Sequence, residues 1–407
     1  KILSGGELIK KMLNNNKPNR KSFVLILVKN LDNGIIRFLN IIIALNKKKS
    51  PFKINILFYE KSIMYKTLRK KKYFKILSHQ SPLKEHFAFK KIFIFIINIL
   101  NTLKFLKQKK PKIIVVIGIY STILIIFLKP LVNFLFKLNF KILLLLETNF
   151  IKMVDSKPGN FYKKILHFFL KISLSKIDYC ISQTKGNLVF IQNYYKIRFK
   201  NYTVIPHGIK IRSRNYRKDI LPTKDIKTII SVGRFHPQKD FETIIKAFKV
   251  VNEKWKFNKI KLLLVGDGLL RKNLEILVSE LNLRNKVIFT GWKFNIYHYL
   301  KNADIFVYSS NHEGFGYVIL EALNCGLPII ATDTPFGPSE ILKNGKYGIL
   351  IPVGDYKKMA EAIIRFLEDK ALRKKYSKLA YERVKYFSEK KILQKYKKIL
   401  SELLSNN

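Results

Sequence analysis

Cysteine is nearly missing from this 407-residue chain, with only Cys180 and Cys325, far apart in sequence. They form no metal-ligand spacing and no disulfide framework, so a reducing compartment is the expectation. Acidic residues are also scarce, 27 Asp and Glu against 78 Lys and Arg, for a formal net charge of +51. Alanine, glycine and arginine are few beside lysine, isoleucine, asparagine, phenylalanine and tyrosine, the bias that a very AT-rich genome imposes. Whatever its origin, such a surface is drawn to anionic partners. The imbalance is steepest over residues 1–150, with 30 Lys and Arg against 5 acids, compared with 48 against 22 in the remainder. The first residue is Lys1 rather than methionine, which reads as a fragment or a processed start. Lys1–Lys21 lacks the apolar core and cleavage site of a signal peptide. No apolar run reaches the roughly 20 residues of a spanning helix. Ile113–Leu128, the longest, closes at Lys129-Pro130 and reads as a buried strand followed by a helix. A zinc finger, an RNA-recognition signature and a recognition helix are lacking too, so charge alone argues only distantly for a basic nucleic-acid-binding protein.

Hydrophobic residues make up 48% of the chain, which suits packed globular domains, and the length favours two of them. Short apolar runs alternate with helical stretches. Phe23–Val28, Lys53–Tyr59, Ile113–Ile117 and Ile142–Leu146 read as buried parallel strands, with Tyr179–Ser182 and Tyr202–Ile205 as shorter ones. Helices are expected over Ile35–Leu45 and Ile92–Leu106. A second set has strands at Thr228–Val232, Lys261–Val265, Val287–Phe289, Ile305–Tyr308 and Pro328–Ala331, and helices at Phe241–Asn252 and Leu269–Leu281. Such alternation specifies α/β domains with doubly wound parallel sheets. The boundaries expected are a polar segment 1–20, a domain 21–206, a linker 207–226 opening at Pro206-His207-Gly208, a domain 227–375 and C-terminal helices 376–407.

Four stretches carry candidate chemistry. In Glu313-Gly314-Phe315-Gly316-Tyr317-Val318-Ile319-Leu320-Glu321, one glutamate sits in a glycine-containing loop after a strand and the other in the helix that follows. Such a loop presents backbone N–H groups to phosphate or sugar hydroxyls, and the carboxylates can accept hydrogen bonds from a sugar and a ribose diol. The bland alternative is two solvated acids near a helix start. In Ser231–Asp240, Arg234 and Lys239 flank a proline turn at a strand end, beginning at Gly233. Two cations there suit a diphosphate leaving group, or else are ordinary surface charge. Leu264-Val265-Gly266-Asp267-Gly268 is a strand followed by a tight turn, and Gly34 stands at the first turn of the N-terminal sheet, where backbone can approach a phosphate. Plain turn glycines are the alternative for both. Each stretch falls at the carboxyl end of a parallel strand, where ligands bind in such sheets.

Read together, these pieces resemble the donor domain of the large family 4 of retaining glycosyltransferases. The pieces, in the family's order, are VGRFHPQKD, LLLVGDG, VIFTGW, NADIFVYSS, EGFGYVILEAL, NCGLPIIATD, GPSEIL and GILIPVGD. LDNGIIRFLNIIIAL, and IDYCISQT followed by YTVIPHGI, resemble the family's first turn and its domain junction. The resemblance implies the GT-B fold, two Rossmann-like domains facing a central cleft. It implies that Arg234 and Lys239 bind the donor diphosphate and that Glu313 contacts the transferred sugar. It also implies that Glu321 holds the ribose and that backbone at Phe315, Gly316 and Tyr317 binds sugar and phosphate. The base would lie near Gly266–Gly268 and Val287–Phe289, Phe289 included, with Gly34 facing the diphosphate from the other domain. No metal or other cofactor is implied, the nucleotide sugar being substrate, and no Asp-x-Asp motif is found.

One departure stands out. The family often carries a histidine where this chain reads Glu147-Thr148-Asn149-Phe150, and neither His86 nor His207 obviously replaces it. His207 reads as a structural turn residue. The resemblance implies transfer of a hexose or N-acetylhexosamine from a UDP-sugar, or next a GDP-sugar. The acceptor would be a glycan or polyprenyl-linked molecule in surface polysaccharide synthesis, such as lipopolysaccharide. The basic, aromatic or aliphatic stretches Lys61–Leu77 and Ile92–Lys112 suggest an anionic membrane surface as a partner, at the cytoplasmic face of the inner membrane. Other GT-B enzymes, such as a nucleotide-sugar epimerase or a phosphorylase, are the alternatives.

Overall fold

A computed structural model describes residues 22–28, 52–58, 88–147, 150–211, 226–255 and 259–405. The chain divides into two compact units. The first comprises Lys1–Ile181, Ile191–Thr203 and Tyr396–Asn407, and the second Ser182–Phe190 and Val204–Lys395.

The first sheet holds β1 (Ser22–Val28), β2 (Phe52–Phe58), β3 (Ile113–Ile117), β4 (Lys141–Leu146), β5 (Tyr179–Ser182) and β6 (Tyr202–Val204), in the order β2-β1-β3-β4-β5-β6. The pairs β1–β2, β1–β3 and β3–β4 are parallel. All five residues of β3 are buried, as expected for an apolar run covered on both faces. The long apolar run resolves into β3 and the helix Ile119–Phe136, with Gly118 between them. The expected helix Ile35–Leu45 and the stretch Lys61–Leu77 lie outside the described residues.

The second sheet holds β7 (Lys227–Val232), β8 (Ile260–Val265), β9 (Val287–Phe289), β10 (Ile305–Tyr308), β11 (Ile329–Thr332) and β12 (Ile349–Ile351). All are parallel, in the order β12-β11-β10-β7-β8-β9. Alternate residues feed two cores. Ile229, Leu262, Leu264, Ile305 and Val307 pack with helices Phe241–Lys254 and Tyr356–Glu368. Ile230, Leu263, Val265, Phe306 and Tyr308 pack with helices Tyr317–Asn324 and Lys370–Val384. The period of two therefore builds a sheet with helices on both faces. The strand order reverses between β7 and β10, although both strands run the same way, and in open α/β sheets ligands bind outside the carboxyl ends of the strands at such a switch point.

The expected boundaries shift. The segment opening at His207 was expected as linker, yet its first residues are packed into the second unit. His207 and Ile209 are buried, Ile209 N–H donates to the Phe387 carbonyl at 2.8 Å, and Glu389 N–H donates to Ile209 at 2.9 Å. Apolar and aromatic residues at 207 and 209 override the turn signal of Pro206 and Gly208. Residues 182–190, expected in the first domain, group with the second unit instead. The Glu340 carboxylate accepts from Gly186 and Lys185 N–H at 2.7 and 2.8 Å, capping the helix Lys185–Tyr195. Of the C-terminal helices, residues up to Lys395 group with the second unit and Tyr396–Asn407 with the first.

Candidate active site

The site is built where β7 and β10 end. After β7 the chain runs through Gly233 and Arg234 into a short 3₁₀ turn, Pro237–Lys239. The His236 side chain caps this turn by accepting from Gln238 N–H at 3.3 Å. Asp240 then caps the helix Phe241–Lys254, its carboxylate accepting from the Thr243 hydroxyl at 2.6 Å and the Thr243 N–H at 3.4 Å. Lys239 is thus fixed between two caps. The loop after β10 is stitched to the same turn. Ser309 donates to the carbonyls of Lys239 and Asp240 at 2.9 and 2.7 Å, and Asn311 N–H donates to Gln238 at 2.9 Å.

Lys239 and Glu313 meet here in a direct ion pair, their side chains 22% and 8% exposed. The Lys239 ammonium also donates to the Tyr308 hydroxyl at 2.9 Å, and Ser310 donates to the Glu313 carboxylate at 2.8 Å. Burial works against the Lys239 charge, but the facing Tyr308 oxygen and Glu313 carboxylate hold its pKa above the usual lysine range. Burial likewise opposes ionisation of Glu313. The Lys239 cation and the hydrogen bonds from Lys239, Tyr308 and Ser310 outweigh it, leaving the carboxyl below its ordinary value. Burial, and then the Glu313 charge, raise the Tyr308 phenol. His236 is lowered by burial and by the Arg234 and Lys239 charges. Both members of the pair stay charged through neutral pH.

Arg234 is exposed on the same loop as Lys239, with no ion-pair partner among the described residues. Gly233 N–H donates to Val265 at 3.0 Å, which ties the ends of β7 and β8 together. The turn after β8 needs its glycines for close approach. A Cβ on Gly266 would sit 1.8 Å from the Gly233 carbonyl oxygen, and one on Gly268 would sit 2.4 Å from that of Phe235. Phe289 packs edge to face on Phe235 at 5.9 Å, with the Arg271 guanidinium 4.7 Å over its ring. Gly316 caps the helix Tyr317–Asn324, and Glu321 is buried on that helix's second turn. The side chains of Phe315 and Tyr317 face the chain at 207–208. Phe315 stacks edge to face on His207 at 4.9 Å, and the Tyr317 hydroxyl donates to Gly208 at 3.1 Å. His207 is a packing residue here.

The second unit therefore brings together Gly233, Arg234, Lys239, Gly266, Gly268, Phe289, Glu313, Phe315, Gly316, Tyr317 and Glu321 on loops at strand ends or the helix following. Gly34, His86, Thr148 and Asn149 lie outside the described residues. Sequence reasoning missed Tyr308 and Ser310. Tyr308 closes the strand Ile305–Tyr308 with nothing in the sequence to set it apart, and a serine near a glutamate carries no signal until the loop is folded.

Residues 212–383 match the model of the family described as glycosyl transferases group 1. An uncharacterized glycosyltransferase of Methanocaldococcus jannaschii is 30% identical over 318 residues, covering 68% of this chain and 76% of its own. The N-acetylgalactosamine-N,N'-diacetylbacillosaminyl-diphospho-undecaprenol 4-alpha-N-acetylgalactosaminyltransferase of Campylobacter jejuni is 29% identical over 219 residues, covering 54% of this chain and 58% of its own. Among solved structures, HepE of Anabaena in complex with UDP and glucose superposes with a TM-score of 0.74 at 18% identity, over 94% of this chain and 100% of that one. The fold is that of the GT-B enzymes, with two Rossmann-like sheets. Sheet topology, strand-end site and kinship agree, and the chain belongs to the group 1 glycosyltransferases.

Proposed function

We propose that this protein transfers a hexose or N-acetylhexosamine, with retention of anomeric configuration and without a metal ion. The donor is a nucleotide sugar, a UDP-sugar first and a GDP-sugar next, and the acceptor a glycan or polyprenyl-linked molecule. The observation that carries the reading is the buried Lys239–Glu313 pair at the sheet's switch point. The relatives support the substrate classes. The Campylobacter protein's name places its acceptor on diphospho-undecaprenol, and HepE holds UDP and glucose.

In this reading the donor diphosphate draws the Lys239 ammonium and the Arg234 guanidinium to itself. The cations stabilise the charge that grows as the bond between the anomeric carbon and the phosphate oxygen breaks. Glu313, kept ionised, faces the oxocarbenium-like sugar. The acceptor oxygen bonds to the anomeric carbon on the face the diphosphate leaves. Its proton passes to the departing phosphate oxygen, so no separate side-chain base is needed. Glu321 accepts from the ribose hydroxyls. The test is a screen of UDP- and GDP-sugars with linkage analysis of the product, preceded by nucleotide-sugar protection against thermal unfolding. A product of retained configuration that needs no divalent ion supports the reading. Inverted product, or epimerisation of the donor without transfer, overturns it.

A further inference from the structure

Among the described residues, the first unit carries an exposed apolar surface. Helix Ile119–Phe136 turns Ile125, Leu128 and Val132 inward, and helix Asn160–Ser175 turns Leu170 and Leu174 inward. Their outer sides are apolar as well. Phe134, Phe161 and Phe168 are 83%, 78% and 60% exposed. Leu131, Leu135 and Ile165 are exposed on the same two helices. Phe127 and Phe169 meet edge to face at 5.4 Å across the helix pair, and Phe168 meets Phe169 at 5.6 Å, so the two faces form one surface. A surface helix ordinarily turns charge to water, and large contiguous apolar patches mark a place of contact.

The charge around the patch selects the partner. Residues 119–176 contain nine lysines, one aspartate and one glutamate. Lys137, Lys152, Lys164 and Lys171 are exposed. Lys164 and Lys171 each follow a patch phenylalanine by three residues, which sets them along the edge of the apolar stripe. The two helices themselves carry no acid, and Asp155, at the end of the short helix Phe150–Asp155 between them in sequence, faces His167 at 3.2 Å. A second copy of the chain would bring its own lysines against these, whereas a bilayer of acidic lipid offers both phosphates and hydrocarbon.

We propose that this face docks the protein peripherally on an anionic lipid surface. The aromatic rings enter the boundary between headgroups and acyl chains, and the bordering lysines meet lipid phosphates. Helix Ile119–Phe136 is long and apolar enough to cross a membrane, but its inner side is committed to the core of its own unit. The role of docking rests on the proposed function, because a polyprenyl-linked acceptor is presented at such a surface. Binding itself needs no sugar.

Full-length protein is to be sedimented with phosphatidylcholine vesicles made with and without phosphatidylglycerol. Binding is expected on the acidic vesicles and about tenfold weaker on the neutral ones. The triple variant F134S/F161S/F168S is expected to lose about tenfold on acidic vesicles, with its nucleotide-sugar thermal protection unchanged. The pair K164E/K171E reads the charge separately and leaves the apolar surface intact. Equal binding to neutral vesicles, or wild-type binding by both variants, overturns the proposal. So does a dimer in light scattering that the triple variant converts to monomer while no vesicle is bound. Loss of sugar transfer with vesicle binding intact would count against the proposed function and leave docking standing.

Discussion

Helix Phe241–Lys254 in the second unit and helix Asn160–Ser175 in the first both pack one side into their own unit, and their outer sides could hardly differ more. The former buries Phe241, Ile244, Ile245, Phe248 and Val251 and faces water with the ion pairs Lys246–Glu242 and Lys249–Glu253, at 3.4 and 3.0 Å. The latter shows phenylalanine outward. In the second unit, polar chemistry is drawn inward to the strand ends, where Lys239, Tyr308, Ser310 and Glu313 satisfy one another. In the first, the unusual residues are on the outside. A Rossmann-like sheet fixes where a small ligand binds but leaves the outer helix faces open to other contacts.

The contrast breaks most sharply at Lys239. Lys239→Ala leaves the Glu313 carboxylate buried without its cation, and removing one partner of a buried pair costs about 3–5 kcal/mol. Urea unfolding should show that loss, and Glu313→Gln in the same chain should recover part of it. An additive double mutant would mean that the two side chains do not interact. Gly266→Ala comes next, at about 3 kcal/mol, because its Cβ lands on the Gly233 carbonyl and the loops after β7 and β8 must separate. Arg234→Ala makes the opposite demand. It is exposed, so stability should stay within about 0.5 kcal/mol. Turnover should fall about a hundredfold or more. Unchanged transfer by this variant would remove Arg234 from the site.

Much of this was legible in the residues. Apolar runs such as IIVVI and ILLLL became β3 and most of β4, and Arg234, Lys239, Glu313 and Glu321 stood out by charge beside glycine turns. What stayed hidden depends on tertiary placement. Tyr308 contributes to a core and to the ion pair at once, which alternation along β10 cannot reveal. Strand order, and with it the switch point between β7 and β10, is set by non-local pairing. The exposed face of Asn160–Ser175 was hidden because its phenylalanines are interspersed with lysines, and only the packed helix shows which of them the core leaves outside. The basic stretches singled out for membrane contact, Lys61–Leu77 and Ile92–Lys112, are other segments.

A smaller effect comes from pH. The Glu313 carboxyl lies below its ordinary value in the folded protein, so the unfolded chain takes up its proton first as pH falls. Its contribution is fully present above the unfolded carboxyl pKa of about 4.3 and is lost as pH drops through the folded value. Lys239, raised on folding, contributes below the unfolded lysine pKa of about 10.4 and loses that contribution as pH climbs through its folded one. Denaturation midpoints should therefore be flat near neutrality and fall on the acid side. Glu313→Gln should make that acid limb shallower, and an unaltered limb would mean that other carboxyls carry it.

The smallest effect is the most telling for the first unit. Phe168→Ser removes an aromatic ring from a side chain 60% exposed, and stability should change by no more than about 0.5 kcal/mol. Leu170→Ala, two residues along the same helix and fully buried, should cost about 2–5 kcal/mol. If Phe168→Ser proved as costly as Leu170→Ala, the ring would be part of a core after all. The outward face would then be covered by the protein itself, and nothing would be left for a membrane to bind. If it proves neutral, the ring contributes nothing to folding, and the outward face of the helix is left available for a contact outside the fold.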